Sequence, residues 1–268
     1  IGAEGTLGVI TRAVLRLHPK PMSQAVAFCS LPDFGTGIRL LRYLEGALGG
    51  RLSAFEAIWH NAYQLVLDGV PRVRPPLPSK NPFYVLVESL GADPLHDGEQ
   101  FEQVLHQALA QGLVQDVVVG RSEREVRALW EVRDAVSEAV LKLDPFLSFD
   151  VSMPVDCMEP FARDVIERIG ARWPEARIGV FGHVGDGNLH LVTDAGGHAT
   201  PRAVMDELVY DATRAVRGSV SAEHGIGFQK RGWLRYTRSD EEIALMRLLK
   251  RSLDPKGILS PGRVVDMV

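Results

Sequence analysis

Cysteine is scarce in this chain of 268 residues, aromatic side chains make up 7% of it, and neither sign of charge dominates. The two cysteines, Cys29 and Cys157, lie far apart and form no Cys-x-x-Cys pattern. That excludes a disulfide-stapled scaffold and a thiolate zinc ribbon, and it predicts a reduced, cytoplasmic protein. Thirty basic against 34 acidic residues leave a formal charge of -4, so no broad positive field exists to hold nucleic acid or an anionic membrane. No apolar run approaches the ~18 residues of a transmembrane helix, and the first residues lack the basic start and apolar core of a signal peptide. What is present, 46% hydrophobic and 24% charged residues, is globular composition. It suffices for one large domain or two of roughly 100–150 residues. Small-molecule chemistry is the class of function left. The chain opens on Ile1 inside what reads as a motif, so an upstream segment is expected.

Gly2, Gly5 and Gly8 followed by alternation over 9–17 read as a turn and a strand, ended by His18-Pro19-Lys20-Pro21. A strand over 25–30, a helix over 33–48 with Asp33 as N-cap, and a strand over 52–56 follow. After a looser segment with a proline-rich stretch at 71–82, the order repeats: strand 83–90, helix 97–111, strand 113–119. Two such strand-helix-strand repeats predict a ferredoxin-like α+β sandwich. A long helix over 123–143 stops at Asp144-Pro145. Strands over 147–153, 178–183, 189–193 and 219–222 then alternate with helices over 156–171 and 201–217. Ser239-Asp240-Glu241-Glu242 starts a last helix that Asp254-Pro255-Lys256-Gly257 ends. The expected fold class is α+β, with one antiparallel sheet or two abutting sheets and helices on one face.

The chemistry concentrates in three places. Gly182-His183-Val184-Gly185-Asp186-Gly187-Asn188-Leu189-His190 carries turn residues between two strands, so a hairpin would bring His183 and His190 together. Two converging imidazoles suit zinc, manganese, cobalt or iron; the alternative is a pair of hydrogen-bonded histidines flanking a tight loop. In Ser221-Ala222-Glu223-His224-Gly225-Ile226-Gly227, Glu223 offers a carboxylate that would complete a metal set, and His224 an imidazole suited to general base work. The alternative there is a glycine-rich loop with an incidental acid and histidine. On the long helix Arg133 and Ser137 lie four apart, where a guanidinium and a hydroxyl could hold a carboxylate; a merely solvated arginine is the competing reading.

Together these stretches resemble the C-terminal part of the FAD-linked oxidases of the vanillyl-alcohol oxidase type. The branch is that of D-lactate dehydrogenases, glycolate oxidase subunits and D-2-hydroxyglutarate dehydrogenase. The opening Gly-Ala-Glu-Gly-Thr-Leu-Gly resembles a motif of the family's flavin domain, and Leu253-Asp254-Pro255-Lys256-Gly257-Ile258-Leu259-Ser260-Pro261-Gly262-Arg263 resembles its ending. The resemblance implies a remnant of the flavin domain at 1–22, an α+β cap and substrate domain at 23–245, and a segment returning to the flavin domain at 246–268. It implies FAD contacts at Gly2, Glu4, Gly5, Thr6, Gly8 and Ser260, a divalent metal, zinc or manganese, on His183, His190 and Glu223, His224 as base, and Arg133 with Ser137 on the substrate carboxylate.

The implied reaction oxidises a D-2-hydroxy acid to a 2-oxo acid by hydride transfer to FAD, with electrons passing to an acceptor protein or a quinone. Two departures bear on the substrate. Ser148 stands where the hydroxyglutarate branch has a lysine before Asp150-Val151-Ser152-Met153-Pro154, and Val192 replaces an asparagine. A lactate-like acid is therefore expected unless another cation, such as Lys142, supplies the missing charge. With the pyrophosphate-binding half upstream, these 268 residues alone are expected to be inactive and to expose apolar segments at 2–17 and 258–268, where a homodimer contact could form. The competing functions are a metal-dependent hydrolase on the same His-His-Glu set and a non-catalytic scaffold or interface module.

Overall fold

The computed structural model describes residues 1–196 and 202–266. In chain order the elements are β1 (Ser23–Leu31), α1 (Phe34–Ala47), β2 (Leu52–Trp59), α2 (His60–Gly69), β3 (Phe83–Gly91), α3 (Asp97–Ala110), β4 (Asp116–Val119), α4 (Glu123–Asp134) and α5 (Val136–Ala139). They are followed by β5 (Phe146–Ser152), α6 (Val155–Arg172), β6 (Ile178–His183), β7 (Asn188–Asp194), α7 (Arg202–Ala215) and α8 (Asp240–Leu253). The expected start of the seventh helix at Pro201, and the last two residues of the expected 246–268 segment, lie outside the described residues. The chain forms two compact units, one of residues 19–148 and 169–199, here the sheet unit, and one of residues 1–18, 149–168 and 200–268, here the loop unit.

In the sheet unit neighbouring strands run in the order β4-β1-β3-β2-β6-β7. The β1-α1-β2 and β3-α3-β4 passages interleave, so β1 and β3 pair at the centre, β4 joins β1, and β2 joins β3, all antiparallel. This is the ferredoxin-like arrangement that the repeats predict, extended by the β6–β7 hairpin against β2. The helices cover both faces, which corrects the expectation of one. Val26, Ala27, Phe28 and Cys29 of β1 are all fully buried, as only a strand covered on both sides can be. Phe34 of α1 stacks edge-on against Phe83, while Tyr63 of α2 meets Phe28 and Tyr84 on the opposite face. There α4 and α5 contribute Leu129, Val132, Val136 and Ala139 to the main core. Cys29 is walled in, and burial with the nearby Asp116 charge pushes its thiol pKa up to about 12. Both cysteines are free, as expected.

Several boundaries differ from expectation. The long helix breaks at Ala135 into α4, α5 and a 3-10 turn over Val140–Lys142. The helix α2 has no capping side chain at Trp59 to announce it, although Ala62, Tyr63 and Val66 bury one face. Residues 9–17 form no strand; Val9, Ile10, Leu15 and Leu17 are exposed. Alternation makes a strand only where a neighbouring strand supplies the ladder hydrogen bonds. The expected strand over 219–222 reduces to one bridge, Ser152 to Ser219.

The loop unit is held by polar anchors and small apolar clusters. Ser239 and Glu242 form a full capping box on α8, and Leu234, Val264 and Val265 pack with Ile243 and Met246. Lys250 is buried, and its ammonium donates to Asp254, to the Thr6 carbonyl and to the Leu259 carbonyl. One charge thereby ties α8 to segments at both ends of the chain.

Because Leu86 is fully buried at the centre of the sheet, Leu86→Ala is expected to lower the unfolding free energy in a denaturant titration by about 2–5 kcal/mol. Val9→Ala, on an exposed side chain, should change it by less than about 0.5 kcal/mol.

Candidate functional site

The β6–β7 hairpin forms where the turn residues predict it. Val184–Asp186 make one 3-10 turn, and Gly187 closes it in the left-handed region at φ 67°. Gly182 is required by the partner strand: a Cβ there would lie 2.4 Å from the Asn188 carbonyl oxygen. His183 pairs with Asn188 and Phe181 with His190, so the two histidines sit diagonally on one face with ring centroids 5.4 Å apart. Across the other edge of β6, His183 stands opposite Glu56 of β2.

Glu56 is the residue that the sequence reading misses. One of its oxygens accepts from His183 Nδ1 at 2.8 Å and the other from Arg133 Nε at 3.0 Å, while Arg133 Nη2 lies 3.4 Å from His183 Nε2. Burial pushes the Glu56 carboxyl up, but the His183 hydrogen bond and the Arg133 charge outweigh it and hold it below the usual carboxylate range. Arg133 is thus half-buried and engaged, not a solvated helix arginine. Ser137 is exposed on α5, past the break at Ala135, and lies outside this cluster. The available signal for Glu56 is a carboxylate inside the apolar run Ala54-Phe55-Glu56-Ala57-Ile58. A charge enters such a strand only with partners.

In the loop unit a second carboxylate organises the Glu-His stretch. Asp150 is buried, and its Oδ2 accepts from the backbone amides of Ala222, Glu223 and His224 at 3.1, 2.9 and 2.8 Å. Burial raises its carboxyl, but the His224 and Glu223 amides, with Lys230, hold it low. Lys230 in turn is held below the usual lysine range by its own burial, which outweighs Asp150. Glu4 accepts from the amides of Ile226 and Gly227 at 2.6 and 2.9 Å. Two carboxylates therefore fix five successive or nearly successive amides, and the side chains of Glu223 and His224 stand exposed. A cavity of about 350 Å³ in this unit is lined by Glu4, Ser221, Glu223, His224, Gly225 and Met246 among others.

Of the residues expected to meet the flavin, Gly5 and Ser260 come together: a Cβ on Gly5 would lie 2.9 Å from Ser260 Oγ. Thr6 is buried and donates to the Ala3 carbonyl at 2.6 Å, Glu4 is turned to the loop, and Gly2 and Gly8 are exposed. A larger cavity, about 1160 Å³ in the sheet unit, holds none of the expected site residues. Three of its four lining cations, Arg72, Arg121 and Arg127, are paired with Glu131 and Glu138, with Glu102, and with Glu123; the fourth is Lys20.

Replacing Asp150 by Ala removes the acceptor of three amides and is expected to raise amide hydrogen exchange at 222–224 by more than tenfold, since each orphaned amide costs about 1–3 kcal/mol. Unchanged protection there would show that the loop holds itself.

Known proteins place this architecture. Residues 20–264 match the family model described as FAD linked oxidases, C-terminal domain. The chain is 40% identical to mitochondrial D-2-hydroxyglutarate dehydrogenase of Bos taurus over 267 residues, covering 99% of this chain and 48% of that one. It is 34% identical to D-2-hydroxyglutarate dehydrogenase of Stutzerimonas stutzeri, covering 98% and 57%, and 33% identical to a putative mitochondrial D-lactate dehydrogenase of Schizosaccharomyces pombe, covering 99% and 52%. It spans about half the length of these relatives. Among solved structures p-cresol methylhydroxylase superposes with a TM-score of 0.63 at 12% identity, covering 93% of this chain and 54% of that one. An alkyldihydroxyacetonephosphate synthase gives 0.60 at 14%, covering 97% and 48%; at such identities the likeness is one of fold. The chain belongs to the FAD-linked oxidases, of which it carries the C-terminal domain.

Proposed function

We propose that this chain supplies the substrate-side half of a flavin-dependent dehydrogenase of D-2-hydroxy acids. The observation that carries the reading is the cluster of Arg133, Glu56 and His183 on one sheet face, beside His190. Its chemistry suits an anionic hydroxy acid: a guanidinium for the carboxylate, and two imidazoles, of which His183 is hydrogen-bonded through Nδ1 to Glu56. His183, His190 and Glu223 would hold a divalent ion, zinc or manganese, and this donor set of two imidazoles and a carboxylate fits such ions. Residues 1–22 and 246–268 would face the flavin, with the bare backbone at Gly2, Gly5 and Gly8 open to a flat group and Ser260 beside Gly5.

When bound, the metal supplies Lewis acidity toward the 2-hydroxyl and FAD supplies a two-electron sink. The protein's own groups do the rest. Arg133 would fix the reacting carboxylate with its terminal nitrogens, and Ser137 is the hydroxyl proposed beside it. His224 would take the hydroxyl proton on its imidazole as hydride leaves C2, giving a 2-oxo acid. Electrons would pass on to an acceptor protein or a quinone. The segments 23–245 would form the cap over the reacting centre.

The distal end of the substrate has two readings. The names of the bovine and Stutzerimonas relatives favour 2-hydroxyglutarate. Ser148 in place of a lysine favours a short acid such as lactate, and so do two features of the sheet unit. Lys142 is engaged by the Gly69 carbonyl, and Val192 packs into the core with its methyl in reach of Gly179. Compartment does not follow from the family, since the bovine relative is mitochondrial by name and the bacterial one is not. Among the described residues no helix is long and apolar enough to cross a membrane.

In the flavin-containing enzyme, Arg133→Ala should lower kcat/KM for the hydroxy acid by 100-fold or more, about 3 kcal/mol of transition-state binding, through both KM and kcat. His190→Ala should abolish turnover and leave the flavin absorbance in place. Comparing kcat/KM for D-lactate and D-2-hydroxyglutarate decides the distal group: higher lactate values are expected from Ser148, and a preference for the diacid would carry over the relatives' named substrate.

A further inference from the structure

We propose that Lys230 is a positioning residue of the Glu-His loop, its buried ammonium set against Asp150 so that this carboxylate stays turned to the amides of residues 222–224. Asp150 lies on β5 between Phe149 and Val151, both buried. A carboxylate in such surroundings needs an opposite charge as well as hydrogen bonds. Lys230, 80 residues further along the chain, brings one. Its side chain is 11% exposed, and its Nζ donates to the Asp150 carbonyl at 3.2 Å and stands 3.6 Å from Asp150 Oδ2. That oxygen is the one on which the amides of Ala222, Glu223 and His224 converge. The backbone of the lysine is tied to the same loop, since its amide donates to the Ile226 carbonyl at 3.0 Å. The charge of Glu4, which clamps the amides of Ile226 and Gly227, also acts on the ammonium. Arg202, another cation near Lys230, pairs with Asp206 at 2.5 Å and lies over the Phe149 ring.

The lysine thus reaches Glu223 and His224 through Asp150 and the loop backbone. Its consequence for turnover rests on the metal and base roles proposed above for those two residues. The helix α8 of the same unit is an internal control, because its capping box, the bonds of Lys250 and the Leu234 cluster hold it by other groups.

The experiment is amide hydrogen exchange on the flavin-containing enzyme, unsubstituted, as Lys230→Met, as Asp150→Ala and as the double variant. Lys230→Met keeps the length of the side chain and removes the charge. It is expected to lower protection at 222–224 more than tenfold and to leave α8 unchanged. Unchanged protection at 222–224 would overturn the proposal, and equal losses in α8 would overturn it as a general softening of the unit. In Asp150→Ala, where the amides have already lost their acceptor, adding Lys230→Met should cost no further protection at 222–224. Additive losses would show that the lysine acts by another route and overturn the proposal. A further measurement does not need a folded variant: in the unsubstituted enzyme Lys230 should resist reductive methylation that modifies the exposed Lys80, and equal rates at the two would overturn the proposal. On turnover, Lys230→Met should lower kcat about tenfold and leave KM for the hydroxy acid within about twofold, since Arg133 belongs to the other unit. Lost protection with an unchanged kcat would uphold Lys230 as the residue that sets the loop and overturn instead the roles of Glu223 and His224.

Discussion

The pleat of an antiparallel sheet repeats every two residues, and the register of three adjacent strands decides what the candidate site contains. On β2, β6 and β7 that register stacks Glu56, His183 and His190 on one face, with Phe181 and Ile58 beside them. A slip of one residue in β6 would send His183 to the opposite face and leave Glu56 buried against Gly182. The apolar residues on the two faces of β1 and β3 hold the sheet against such a slip, because each face packs against its own helices. The core thus acts on the chemistry through register more than through any direct contact with the polar groups.

The loop unit reaches the same end by a different route. It has little regular structure between residues 216 and 230, and what shapes that stretch is backbone amides collected by buried or half-buried carboxylates. Asp150 and Glu4 come from parts of the chain far from the loop they hold. In low-dielectric surroundings an acceptor shared by three amides is worth more than the same contacts in water. The contacts to Asp150 are made by the backbone amides of Glu223 and His224.

Much of this was legible in the residues. Gly-Asp-Gly-Asn between two apolar strands announced the hairpin, the spacing of the two histidines announced their proximity, and Asp33 and Ser239 marked helix starts that the structure keeps. Other features were hidden for physical reasons. A continuous apolar run such as Val26 to Cys29 says that both faces are covered but not by which helices. Residues 9–17 alternate as a strand does, yet alternation carries no information about whether a partner strand is present. The break falls at Ala135, itself the best helix former, and has no glycine or proline to mark it. Glu56 and Asp150 look like lone charges in apolar strands, and their partners lie more than 70 residues away in sequence.

The tie from Lys250 to the Thr6 carbonyl spans 244 residues of sequence. During synthesis the sheet unit can close once residue 199 has left the ribosome, while residues 1–18 and 149–168 must wait for α8 before their own unit can form. Loop closure over such a span is slow and entropically costly. The Glu-His loop, which needs Glu4 at one end of the chain and Asp150 in its middle, is therefore among the last parts of the molecule to be set. Nascent chains lacking α8 would carry a completed His183–His190 hairpin and a Glu-His loop not yet fixed.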